Sequence, residues 1–147
     1  MNEQLSAEQV LKDKGFFVTT TSGISMRPLF RDRRDRVVIK PTADRLKKYD
    51  IPLYRRGEKL VLHRVIRVRE KDYIIRGDNC IEREIVKDEQ IVGVLCEFYR
   101  KDKHYTVNDF GYRIYSRLWV FISPLLIAFK KARSLLSRIY HKIKGLS

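Results

Sequence analysis

Six short runs rich in β-branched and aromatic residues, each closed by turn-forming residues, commit most of this chain to strands. They are FFVTTT (16–21), RVVIKP (36–41), DIPLYRR (50–56), KLVLHRVIRVRE (59–70), DYIIRG (72–77) and EQIVGVLCEFYR (89–100). A seventh segment, KHYTVND (103–109), reads as one more edge strand. Gly57-Glu58 and Lys71-Asp72 leave room only for tight hairpin connections, and strands joined so closely must run antiparallel. Ahead of them, residues 5–14 read as a short helix, with Ser6 as N-cap, Gln9 three residues on and Gly15 as the stop. The expectation is a mainly β antiparallel domain over residues 1–109, followed by a basic amphipathic helical tail over 110–147. With 147 residues, 44% of them hydrophobic, the chain can bury a core without disulfide or metal staples.

Charge is distributed unevenly. Lys and Arg number 32 against 18 Asp and Glu, giving a formal +14, and eight of the basic residues fall between Gly111 and Ser147, where no acid occurs. Such an excess favours a polyanionic neighbour, either nucleic acid or an anionic membrane surface. The most apolar window, LWVFISPLLIAF (118–129), is broken by Pro124. Twelve helical residues span about 18 Å, against about 30 Å of hydrocarbon core, so this window is too short to cross a bilayer by itself. After Pro124, apolar residues recur at 125, 128, 129, 132, 135, 136, 139, 140 and 143, a helical stripe with basic residues alongside. That pattern predicts a helix lying on an anionic membrane surface through residues 112–144, with Tyr115 and Trp119 as exposed aromatic anchors. The N-terminal MNEQLSAEQVLKDKG has no apolar run to act as a signal or anchor. The expected location is therefore the cytoplasmic side, at the membrane periphery.

The composition narrows the chemistry. Two isolated cysteines, Cys80 and Cys96, do not make a disulfide framework. His63, His104 and His141 have no Cys or acidic neighbour at ligand spacing, so no metal site is expected, and no glycine-rich phosphate loop is present. No cofactor is implied. His63 stands apart from the other two because it lies inside an apolar strand run, LVLHRVI, where a polar group needs a reason.

Three features taken together supply that reason. SGISMRP places Ser25 after Gly23 and before Pro28 in a strand-to-turn exit, and IIRGDN places Asp78 at a later strand end. A serine hydroxyl becomes nucleophilic when a base takes its proton, and neutral imidazole suits that task near pH 7. A carboxylate that fixes the imidazole tautomer completes such a unit. Ser25, His63 and Asp78 could converge at one end of a sheet.

SGISMRP, VLHRVI and IIRGDN, in this order, resemble the motifs of the signal peptidase and repressor-type serine peptidase superfamily (S24/S26). The resemblance covers about residues 16–99. A histidine in the second motif, where a lysine base is usual, makes the chain similar to the Ser-His branch of that superfamily. The resemblance implies the β-rich peptidase fold, Ser25 as nucleophile, His63 as general base and Asp78 as an organiser near His63 or Arg64. In that branch an acid several residues after the GDN motif can fill the third role, and Glu84 falls at that distance. Asp78 is the favoured third member and Glu84 its rival. Two departures stand out: the resemblance implies a membrane anchor before the serine motif, which is missing here, and Gly23 occupies a position that often carries a serine. The oxyanion would then rest on backbone N–H groups, chiefly that of Ser25, with help from Ser22.

The implied function is endoproteolysis of a peptide or pre-protein leader by a Ser/His mechanism. One alternative is a peptidase-like module that binds peptides without cutting them. The other is a basic nucleic-acid-associated regulator, which residues 1–15 are too short to serve with a helix-turn-helix.

Overall fold

Every strand pair among the described residues is antiparallel. The computed structural model describes residues 3–146. In chain order the elements are α1 (Glu3–Lys14), β1 (Phe17–Thr20), β2 (Arg36–Lys40), β3 (Pro52–Arg56), β4 (Lys59–Leu62), β5 (Arg64–Val68), β6 (Tyr73–Arg76), β7 (Glu84–Val86), β8 (Ile91–Arg100), β9 (Lys103–Thr106) and α2 (Phe110–Lys144). One sheet has the order β1-β2-β8-β3-β4 and curls into a half-barrel. β8 is long enough to pair with β3 over its first half and with β9 over its second. The other sheet has the order β5-β6-β7. α1 packs against both β1 and β4, the two edges of the larger sheet, and so bridges its open seam.

Two cores result. Leu11, Phe30, Val37, Ile39, Ile51, Leu53, Leu95 and Phe98 fill the larger sheet, while Leu46, Tyr54, Val65, Tyr73, Ile75 and Val86 form the core of the smaller one. The period-two alternation of β3 sends Leu53 to the first core and Tyr54 to the second. β3 is thus shared by both cores.

Three elements differ from the sequence reading. The helix begins at Glu3, so Ser6 lies inside it and is not its N-cap. The run 59–70, read as one strand, is two strands in different sheets, and His63 is the residue between them. Continuous β propensity cannot reveal this break, because what ends β4 is a change of pairing partner from β3 to β6. β7 was not expected; its three residues are too few to form a recognisable run.

α2 is one helix of 35 residues that continues through Pro124, so the break expected there does not occur. No helix among the described residues is long and apolar enough to cross a membrane. The boundary expected after residue 109 coincides with the start of α2, yet the first half of this helix is tied into the β structure. Ser116 and Ser123 are its buried residues. Ser116 Oγ accepts a hydrogen bond of 2.9 Å from Arg64, and Ser123 Oγ accepts one from Arg76. From residue 131 to 146 every position is exposed.

Candidate active site

The segment after β1 is held open by its own hydrogen bonds. Gly23 has φ near +86°, a conformation that side chains other than glycine rarely accept, and its N–H donates to Asp32 Oδ1 at 2.7 Å. Across the loop base the Arg33 N–H donates to the Thr21 carbonyl and the Thr21 N–H donates to the Asp35 carbonyl, each at 2.8 Å. Ser25 therefore sits at the tip of a braced loop, half-buried.

That loop is fastened to the GDN turn. The Asn79 N–H donates to the Ser25 carbonyl at 2.8 Å, and the Asn79 side-chain amide donates to the Ile24 carbonyl at 3.2 Å. Gly77 is the contact point. A Cβ added there would lie 2.7 Å from Ser25 O and 3.0 Å from His63 Nε2. Only glycine lets the serine loop and the imidazole approach the same point. The three sequence motifs thus converge, and Ser25 and His63 line one cleft of about 760 Å³. No hydrogen bond joins Ser25 Oγ to His63 among the described residues; such bonds are commonly loose before substrate arrives and tighten in the complex.

His63 is buried, and the hydrogen-bond network around it defines its tautomer. Its Nδ1 lies 3.2 Å from Tyr54 Oη and 3.5 Å from Glu84 Oε1. The Tyr54 hydroxyl donates its proton to Glu84 Oε2 at 2.9 Å. Tyr54 Oη is then an acceptor toward the ring, so Nδ1 carries the proton and Nε2, on the Gly77 side, keeps its lone pair. Burial pushes the His63 pKa below its ordinary value; Glu84 opposes that shift and Arg56 adds to it. The imidazole is consequently neutral at pH 7. Burial also raises the Tyr54 hydroxyl well above the usual tyrosine range. Arg56 pairs with Glu84 from the other side and holds the carboxylate in place.

Asp78, the favoured third member, is elsewhere. Both its oxygens accept from Arg64, at 2.8 Å each, and Tyr115 Oη donates to Oδ2 at 3.1 Å. Arg64 and Asp78 are both buried, and the Trp119 indole N–H donates to the Asp78 carbonyl at 3.0 Å. The structure brings Glu84, not Asp78, to Nδ1 of His63. A guanidinium fork from Arg64 holds both oxygens and Tyr115 adds a third bond, which ties the Asp78 carboxylate to Arg64 and α2. Arg64 supports the site through Asp78 and α2, with no contact to the cleft.

The expected oxyanion groups are placed as follows. The Gly23 N–H is occupied by Asp32, whereas no acceptor takes the Ser25 N–H among the described residues. Ser22 lines the cleft and is exposed. Cys80 lines it as well, but burial pushes its thiol pKa up and keeps it protonated. No group of three His, Cys, Asp or Glu among the described residues could hold a metal ion.

Sequence reasoning missed three residues. Tyr54 and Arg56 read only as strand residues in DIPLYRR, and nothing in the sequence pairs them with Glu84. Lys130 donates to Asn79 O at 3.0 Å and Oδ1 at 2.7 Å and lines the same cleft from α2, 51 positions along the chain. Against known proteins, no family model matches this chain and no curated protein matches it.

Proposed function

We propose that this chain is a serine endopeptidase of the S24/S26 type, Ser-His branch, that cuts a peptide or a pre-protein leader. One observation carries the reading: Ser25 and His63 line one cleft, the Ser25 carbonyl and His63 Nε2 both lie against Gly77, and Tyr54 and Glu84 lie at Nδ1. Ser25 Oγ attacks the scissile carbonyl as its proton passes to His63 Nε2. The imidazolium is stabilised by Glu84 through Nδ1, directly and across Tyr54. The Ser25 N–H, with Ser22 beside it, faces the developing oxyanion. Collapse of the tetrahedral intermediate breaks the C–N bond, and Nε2–H protonates the departing amine. Water, deprotonated by the same Nε2, then hydrolyses the acyl-enzyme. Asp78 and Arg64 brace the site from outside the cleft, through the GDN turn and α2, and are not reacting groups.

Substrate geometry follows from the sheet. β1 and β4 are the edges of the larger sheet, and both contribute residues to the cleft. An extended peptide laid along either edge gains main-chain hydrogen bonds, the usual mode of strand addition. Apolar side chains of Phe17, Met26, Leu53 and Leu62 line the same cleft, so apolar substrate residues are favoured there.

The test is digestion of a peptide mixture read by mass spectrometry, followed by a pH profile on the best substrate. Activity needs neutral His63, so kcat/KM rises with pH through the histidine pKa. Because burial holds that pKa below the ordinary value of 6.5, the midpoint of the rise lies below pH 6.5. Glu84→Gln removes a group that raises it, so the limb moves to lower pH while the plateau falls by about 10²-fold. A limb centred above pH 7, or one that Glu84→Gln moves upward, contradicts the assignment. A chain that binds peptides but cuts none, with or without Ser25, is the inert binding module instead.

A further inference from the structure

We propose that α2 seats on an anionic lipid surface through its outward apolar stripe while its opposite face keeps the β domain packed above it. The two faces are separate. Ser116, Trp119, Ser123 and Lys130 meet the domain through hydrogen bonds to Arg64, Asp78, Arg76 and Asn79. Leu118, Phe121, Leu125 and Phe129 lie roughly 150° around the helix from them. All four are exposed, Phe121 by 82% and Leu125 by 73%. The stripe continues through Leu136 and Ile143 in the undocked half, so it runs the length of a helix about 52 Å long.

This arrangement corrects the choice of aromatic anchors. Trp119 and Tyr115 face the domain, where both bond Asp78, and do not face outward. Small serines mark the docked face and large apolar side chains the free one, which is the reverse of a helix packed into its own core.

Charge complementarity selects the occupant. Arg117, Lys131, Arg138 and Lys142 border the stripe on one side and Arg133 and Lys144 on the other, and residues 110–147 contain no acid. A second copy of α2 would set two cationic helices against each other with no carboxylate to pair. Anionic headgroups meet the basic borders while the stripe enters the acyl boundary. Lys130 lines the cleft from the docked face, so the cleft stands about one helix diameter, roughly 10 Å, above the lipid. The inference is independent of the peptidase chemistry and is tested without it.

The test uses the full chain carrying Ser25→Ala and vesicles of phosphatidylglycerol and phosphatidylcholine, with pure phosphatidylcholine as control. The chain is expected to sediment with the anionic vesicles and about tenfold or more weakly with the neutral ones, an advantage that high salt reduces. Phe121→Glu with Leu125→Glu should weaken anionic binding by about a hundredfold, since two apolar side chains no longer leave water. Brominated lipid should leave native Trp119 fluorescence unquenched but quench Trp119→Phe/Leu125→Trp. Should that last variant not fold, the glutamate pair carries the test, because both positions are exposed. Equal binding by the glutamate pair overturns the proposal. So does quenching of Trp119 in the native chain, which would show α2 leaving the domain. Vesicle indifference combined with stripe-dependent dimerisation also overturns it and makes the stripe a contact between copies.

Discussion

Ser25→Ala is expected to abolish peptide cleavage, lowering kcat/KM by about 10⁴-fold or more, with circular dichroism and melting temperature unchanged. In the proposed mechanism the hydroxyl supplies the nucleophile, and its removal leaves the loop fastened, because Asn79 bonds the Ser25 carbonyl and not its side chain. His63→Ala should cost nearly as much, and the double substitution little more than either alone, since members of one catalytic unit are not additive. Tyr54 and Glu84 still face the vacated imidazole position in His63→Ala, so its stability is the more informative control. Retained cleavage in the double variant, measured on folded protein, would remove both residues from the mechanism.

Asp78→Asn is expected to act on the fold instead. The Arg64–Asp78 pair is buried on both sides, and the carboxylate also receives Tyr115. Leaving a buried guanidinium without its counter-charge costs about 3–5 kcal/mol. For a domain of this size that corresponds to roughly 10 °C in melting temperature. Glu84→Gln, by contrast, alters a half-buried carboxylate with Arg56 and Tyr54 still beside it, and should melt within a few degrees of wild type. A thermal melt of both variants separates the two acids: the stability loss belongs to Asp78 and the shifted pH limb to Glu84. If Asp78→Asn melts like wild type while losing activity, the assignment of the two acids is reversed. The network also bears on truncation. A cut at Asp109 removes Ser116, Tyr115 and Trp119 from Arg64 and Asp78, whereas a cut after Lys131 leaves those contacts in place.

The motifs were legible because they are local. A glycine before the serine, a histidine in an apolar run and a GDN turn each sit within a few residues, and the runs around them are plainly β-branched and aromatic. Pairings across the fold were not. Asp78 and Glu84 offer the sequence the same carboxylate at similar distances from His63, and only the guanidinium of Arg64, from a strand in the second sheet, decides between them. Tyr54 looks like one more aromatic strand residue until β3 is seen to turn it toward the junction at His63. That junction was hidden too, because β4 and β5 have one uninterrupted β composition and are divided only by their partners. In α2 the apolar periodicity was read correctly as a stripe. Its docked face was invisible because serines, aromatics and a lysine, not leucines, make the contact.

The account rests on a serine activated by His63, and covalent labelling tests this most directly. Full-length protein is treated at neutral pH with a fluorophosphonate, digested, and the adduct located by mass spectrometry. The predicted result is a single modification at Ser25 that is lost in His63→Ala and strongly reduced below the histidine pKa, where Nε2 is protonated. Absence of an adduct at Ser25, or labelling that proceeds equally well in His63→Ala, would contradict the assignment of this cleft as a serine peptidase site.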